Sequence, residues 1–399
     1  MKEILAKRIV EMQESATLKM AKIARELKAQ GRDVIDLSIG EPDFDTPQHI
    51  KDAAKRAIDE GYTHYTPVPG YIELRKAIAT KLKRDNNLDY SPEQIVVSTG
   101  AKQSIANVVL SLVEKGDEVL LPAPYWVSYA AIAELAEGTY VEIPSDIESG
   151  FKVTASQLEA HITPKTKLII FSSPCNPTGA VYSFEELESL ANLLAKYPNV
   201  YVIADEIYEY INYTGKPHTS LASFDFINEQ VITVNGFSKG YAMTGWRLGY
   251  IAAPLWIAKA CDKIQGQITS GTCSIAQKAA EAAALEDMTP TFEMVKAFRK
   301  RRDMVYELLK QIPRLGVNLP DGAFYFFIDI KDYFGKSADG IVIDNPESMS
   351  VYLLQTANIG LVNGEAFGDK NCIRLSYAAS EEKLIEVCKR LKDALLKLS

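Results

Sequence analysis

Lys239, in "VNGFSKGYAMTGWRLGYIAAP" (residues 234–254), carries a side chain that condenses with aldehydes to a Schiff base once its pKa falls far enough to leave the amine neutral. A loop lysine is ordinarily a solvated charge. Here its neighbours Gly236, Ser238 and Gly240 are all small, so a bulky group can approach the backbone, and Arg247 follows eight positions later. Other chemically capable residues stand at comparable points. Asp205 ends an apolar run in "IADEIYEY", where an unpaired carboxylate is costly and calls for a cation or a helix N-terminus; Tyr208 comes three residues later. Asn176 stands between two prolines in "SPCNPTG", which reads as a fixed turn. "STGAKQ" puts Gly100 at a turn and Lys102 at a helix start, an arrangement of backbone N–H groups that favours an anion such as phosphate. Trp126, in "APYWVSY", offers an aromatic face.

Taken singly, each has a commoner meaning: Asp as a helix cap, Asn as a turn former, Gly-Ala-Lys as a plain connection. Their placement argues otherwise. Candidate strands lie at 95–98, 118–121, 140–143, 168–172, 201–204, 231–234 and 249–253. They are short, rich in β-branched residues and apolar at consecutive positions, as expected of strands covered on both faces. Helical patterns fall between them. Residues 102–115 place Ile105, Val108, Val109 and Leu112 on one stripe that Gly116 ends; 184–196 place Leu187, Leu190, Leu193 and Leu194 on another, with Ser183 and Glu186 as a capping box. This alternation predicts an α/β fold with a mostly parallel sheet, in which ligands sit at the carboxyl ends of strands. Most of the residues singled out above lie just past such an end.

The chain ends read differently. Beyond about residue 288 come long helices with strand-like pieces at 323–330 and 372–376, and the first 45 residues hold a helix with Met20, Ile23, Ala24 and Leu27 on one face, stopped by Gly31. A larger domain is expected at 47–288, with 1–46 and 289–399 forming one smaller α+β domain.

The 399 residues are 47% hydrophobic and 24% charged with net charge −8, which argues for a soluble globular protein and against a nucleic-acid partner. The basic run Arg299-Lys300-Arg301-Arg302 is expected to be a solvated helix face. Five scattered cysteines without a CxxC pair and four separated histidines suggest neither disulfides nor a metal site. The N-terminal stretch is charged throughout, so neither a signal peptide nor a membrane span is expected, and the cytoplasm is the expected location.

Together, an anion cradle, a fixed Asn, a buried acid, a nearby Tyr and an aldehyde-capturing Lys match the demands of pyridoxal 5′-phosphate. Lys239 takes the aldehyde and Asp205 keeps the pyridine nitrogen protonated. Asn176 and Tyr208 bond the phenolic oxygen, Ser238 and Arg247 neutralise the phosphate, and Trp126 stacks on the ring.

At this point the chain resembles the class I aminotransferases of pyridoxal-phosphate fold type I. "GFSKGYAMTGWRLG" matches their attachment-site pattern, and "YTPVPGYIELR", "PYWVSY", "SPCNPTG", "DEIY" and "RLSYA" follow in the family's order over about residues 36–378. The resemblance implies ping-pong transamination between an amino acid and a 2-oxo acid, with Lys239 as anchor and general base. It also implies a homodimer in which Tyr65 reaches the partner's cofactor phosphate, and adds Ala101 to the phosphate loop. It assigns Arg374 to the substrate α-carboxylate, with Gly40 beside it. The arginine that one branch uses for a distal carboxylate is missing from "GQITSGTCSIAQ"; a second branch, similar to bacterial thermophile enzymes, uses a lysine instead, here Lys102, with Thr17 covering the site. That branch implies aspartate as donor and 2-oxoglutarate as acceptor. Prephenate, aromatic or alanine-type specificity and elimination chemistry stay open. A non-catalytic regulator lacks its DNA-binding domain here, and a nicotinamide enzyme lacks its G-x-G-x-x-G.

Overall fold

The computed structural model describes residues 4–12 and 14–399. Residues 1–3 and 13, in the stretch assigned above to the smaller domain, lie outside the described residues.

All seven expected strands form one sheet: β1 (Ile95–Ser98), β2 (Glu118–Pro122), β3 (Thr139–Ile143), β4 (Thr166–Ser172), β5 (Tyr201–Asp205), β6 (Val231–Gly236) and β7 (Gly249–Ala252), in the order β1-β7-β6-β5-β4-β2-β3. Every pairing is parallel except the two made by β7. The period-2 alternation of side chains divides these strands between two cores. On one face Val97, Leu120, Ile169, Val202 and Val231 pack against α3 (Ile72–Asn86), α6 (Phe184–Leu194) and α8 (Ser274–Leu285). On the other, Val96, Val119, Ile170, Ile203 and Ile232 pack against α4 (Ala101–Leu112), α5 (Ser128–Leu135) and α7 (Leu255–Ile268). Two apolar faces explain the uninterrupted hydrophobic runs. The capping box of α6 is present as expected, with Ser183 Oγ accepting from Glu186 N at 3.2 Å.

Both chain ends share a third core, which Ile207, Tyr208, Ile211 and Tyr213 after β5 also join. Strands β8 (Tyr325–Asp329), β9 (Val362–Asn363) and β10 (Cys372–Ser376) form an antiparallel sheet with β10 in the middle. Phe298 and Val305 of α9 (Thr289–Leu309), Tyr352 of α10 (Pro346–Thr356) and Leu391 of α11 (Glu381–Leu395) fill its core, together with Leu37 from the N-terminal stretch. In this stretch a short helix at Lys7–Glu11 is followed by α1 (Ala16–Ala29), and Ile35–Asp36 then pairs in parallel with Ile359–Gly360.

The basic run departs from expectation. Arg299 and Lys300 are exposed, but Arg302 is only 5% exposed; it donates to Pro320 O at 3.0 Å and lies 4.7 Å over the Tyr213 ring. Arg301 pairs with Asp43 at 2.6 Å. Four consecutive residues spread over about 300° around the helix axis, so they cannot all share a solvated face. Among the described residues no helix is long and apolar enough to cross a membrane.

Candidate active site

The carboxyl edge of the seven-stranded sheet opens into a cavity of about 390 Å³. β6 delivers Ser238 and Lys239, β5 delivers Asp205 and Tyr208, and the turn after β4 delivers Asn176. Trp126 follows β2, Ala101 and Lys102 follow β1, and Arg247 immediately precedes β7; all of these line the cavity. Thr17, Gly40 and Arg374 close it from the side of the chain ends.

Lys239 is partly exposed as a residue, yet its amine is enclosed and donates to Gly40 O at 2.5 Å. Burial brings its pKa down to about 8, opposed by nearby Glu41 and reinforced by Arg374 and Arg247. The neutral, nucleophilic form is therefore accessible near physiological pH. Asp205 was expected to find a cation or a helix start. It finds neither: Oδ2 accepts from Tyr129 OH at 2.7 Å and Oδ1 from Ile207 N at 3.2 Å. Burial pushes its carboxyl up to about 6 despite these donors.

At the other end, Gly100 has φ of 84°, a region that strains any L side chain, and a Cβ there would run into the Arg247 guanidinium. A Cβ on Gly249 would strike the backbone of Ala101. The two glycines thus let Arg247 and the strand β7 close directly on the first turn of α4, whose N-terminus has no side-chain cap. Lys102 Nζ stands 4.9 Å over the Trp126 ring, its pKa lowered first by burial and then by Arg247.

Arg374 is 2% exposed. Nη1 donates to Asn176 Oδ1 at 2.9 Å, Nη2 bonds Ser38 O, and Nε has no partner. The guanidinium lies 4.6 Å from the Tyr325 ring and 5.0 Å from the Phe367 ring. No carboxylate forms an ion pair with it among the described residues, so the strand-end salt bridge that would explain it away is absent. A buried guanidinium with a free N–H beside a cavity is suited to a carboxylate from outside the chain.

Three residues at the site escaped sequence reasoning. Tyr129 lies one helical turn past Trp126, a spacing that could have pointed to it. Glu41 bonds Thr244 in the loop after Lys239. Tyr325 is wholly buried with its hydroxyl 2.6 Å from that of Tyr208; it sat inside an apolar run that reads simply as a strand. Tyr65, by contrast, is 99% exposed and does not line this cavity.

These residues fit pyridoxal 5′-phosphate. Asp205 has only neutral donors, and a protonated pyridine nitrogen is the cation it lacks; the uncapped turn beside Arg247 suits a phosphate. The fold is that of fold type I of the pyridoxal-phosphate enzymes. It matches the aspartate aminotransferase of Rhizobium meliloti with a TM-score of 0.96 at 41% identity, over 99% of each chain. The aspartate aminotransferase of Thermus thermophilus with maleate matches at 0.90 and 38% identity, over 98% of this chain and 99% of that one. The family can be stated more narrowly. Residues 32–391 match the family described as aminotransferase class I and II. A "Bifunctional aspartate aminotransferase and glutamate/aspartate-prephenate aminotransferase" of Petunia hybrida is 49% identical, over 98% of this chain and 83% of its own length. The chain belongs to the class I and II aminotransferases, and pyridoxal 5′-phosphate is its cofactor.

Proposed function

We propose that the chain transfers the amino group of L-aspartate to 2-oxoglutarate in a ping-pong reaction. The observation that carries this reading is Arg374, a buried guanidinium without an internal carboxylate, facing the enclosed amine of Lys239 across one cavity. Bound there, the cofactor supplies an electron-withdrawing ring that stabilises negative charge at the substrate Cα. Arg374 pairs with the α-carboxylate and so aims the Cα–H bond. Lys239 takes the Cα proton; its lowered pKa suits a general base. Asp205 would hold the ring N–H, Asn176 and Tyr208 would bond the phenolic oxygen, and Trp126 would cover the ring. Ser238, Arg247, Gly100 and Ala101 would hold the phosphate. Lys102 and Thr17 receive the distal carboxylate, a reading supported by the absence of any ion pair to Lys102 among the described residues and by maleate, a dicarboxylate, in the Thermus relative.

A second acceptor has support of its own. The Petunia relative is named for prephenate as well as aspartate, and Leu18, Ile39 and Val127 give this cavity an apolar side. Half-reaction rates for aspartate, glutamate, alanine, phenylalanine and prephenate test both readings. Aspartate and glutamate are expected to react fastest. Alanine or phenylalanine outrunning aspartate overturns the dicarboxylate assignment.

We further infer a homodimer. Tyr65 projects fully into solvent from a loop that is firmly anchored: Gln265 Nε2 donates to Val68 O at 2.8 Å and Gln277 Nε2 to Thr66 Oγ1 at 3.1 Å. A fixed loop presenting an aromatic outward suits contact with a second subunit's cofactor phosphate. The separate cores support a large cofactor-binding domain at 47–288 and a small domain from 1–46 and 289–399, in a cytoplasmic enzyme.

A further inference from the structure

Tyr325 opens β8, and its aromatic ring and hydroxyl touch different parts of the site. Its ring lies 4.6 Å from the Arg374 guanidinium, while its hydroxyl is 2.6 Å from that of Tyr208 on the loop after β5. A Cβ on Gly40 would collide with the same hydroxyl, and Gly40 O receives the Lys239 amine. Tyr325 thus touches the guanidinium, the phenol assigned to the cofactor and the strap that holds the lysine. Burial raises the pKa of both phenols, so each keeps its single proton. If Tyr208 aims its proton into the cavity, Tyr325 is, among the described residues, the hydroxyl placed to donate to the Tyr208 oxygen. The positive charge on the Tyr325 ring face makes it a better donor, and a chain of hydrogen bonds polarises along its length.

We propose that Tyr325 is a positioning residue of transamination: its hydroxyl fixes the direction of the Tyr208 hydrogen bond, and its ring couples that bond to whether a carboxylate pairs with Arg374. The proposal deepens the reading of the site given above and rests on it. A carboxylate arriving at Arg374 neutralises the charge over the ring, weakens donation from Tyr325, and so weakens donation from Tyr208 to the cofactor's ring oxygen.

The test uses the cofactor-loaded enzyme and its long-wavelength absorption, titrated with pH. Tyr325→Phe keeps the ring beneath Arg374 and removes the hydroxyl. We expect KM for aspartate within about twofold and kcat lower by roughly tenfold, the equivalent of one hydrogen bond. The titration midpoint should rise by roughly half a unit, because weaker donation disfavours the anionic ring oxygen. Tyr325→Leu removes the ring too and should raise KM by about tenfold besides. In Tyr208→Phe, adding Tyr325→Phe should move the midpoint no further. Three results overturn the proposal: an unmoved midpoint in Tyr325→Phe, shifts that add in the double variant, or a KM rise in Tyr325→Phe equal to that of Tyr325→Leu. Wild-type enzyme that gains no long-wavelength band with the cofactor would instead defeat the parent reading.

Discussion

The site has a rim and a wall, built by different means. The rim is the carboxyl edge of the large sheet, where Asn176, Asp205 and Lys239 hang on backbone held by main-chain bonds: Cys175 N to Ala180 O at 2.9 Å, Glu206 N to Val234 O at 2.8 Å, Phe237 N to Leu248 O at 3.2 Å. The wall is assembled from Thr17, Gly40, Tyr325 and Arg374, drawn from distant parts of the chain; Tyr325 and Arg374 stand on the paired strands β8 and β10, and their side chains meet each other and reach Tyr208 and Asn176 on the rim. Desolvation acts on both with different results. On the rim it moves Lys239 to about 8 and Asp205 to about 6, so both can change protonation state. On the wall it lowers the pKa of Arg374, but a guanidinium stays charged regardless. The rim therefore suits proton movement and the wall fixed-charge binding.

Breaking the rim should abolish chemistry and leave binding. Lys239→Ala is expected to cost roughly 10⁴-fold or more in turnover and to remove the visible absorption of the loaded enzyme, read by stopped-flow half-reactions and spectroscopy. Turnover at wild-type level would sink the assignment. Breaking the wall at Arg374 should act chiefly on binding. Arg374→Lys keeps a charge but loses the planar fork and the bond to Asn176, and should lower kcat/KM for every amino acid by on the order of 10²–10³-fold, about 3–4 kcal/mol. A loss confined to kcat with KM intact would show that Arg374 takes part in the chemistry instead.

The same division explains what could be read from sequence. The rim was legible because each of its residues follows an apolar run at once, and parallel topology forces such positions to one edge; "DEIYEY" and "NGFSKG" announce themselves. The basic run was misread in part because composition hides the angular spread of a helix. The wall was legible only where a motif marked it. Arg374 came from family resemblance, since its burial depends on Tyr325, Phe367 and Ser38, which no spacing rule connects. Tyr325 itself was lost among apolar neighbours, because nothing local distinguishes a phenol that fills a core from one that reaches a site.

Asp205 sharpens the comparison through pH. In the cofactor-free chain its carboxyl titrates near 6, against about 3.8 when unfolded. Above both values the folded state bears a buried charge; below both, the group is neutral in either state and the burden is gone. Asp205→Asn should therefore stabilise the cofactor-free chain at pH 7–8, by up to about 3 kcal/mol, with the gain fading as pH falls through 6 towards 4. Melting temperatures across that range check it. In the loaded enzyme the sign should reverse, because the ring nitrogen then supplies the missing cation. A gain that stays constant with pH would mean that Asp205 is not the titrating group.

Lys102 should give the smallest effect and decides where the rim ends and substrate selection begins. It opens α4 beside Arg247, where the helix dipole and a neighbouring cation both disfavour its charge. It is exposed, so screening limits what it can contribute. Lys102→Ala should lower kcat/KM for aspartate and glutamate by about tenfold and leave alanine and phenylalanine within about twofold. Salt adds a second discriminant. Near 1 M the screening length drops to about 3 Å, so the wild-type preference for dicarboxylates should shrink toward that of the variant, while the contribution of enclosed Arg374 persists. If alanine falls as far as aspartate, Lys102 serves the phosphate and not the substrate, and the distal carboxylate must be held by some other group facing the cavity.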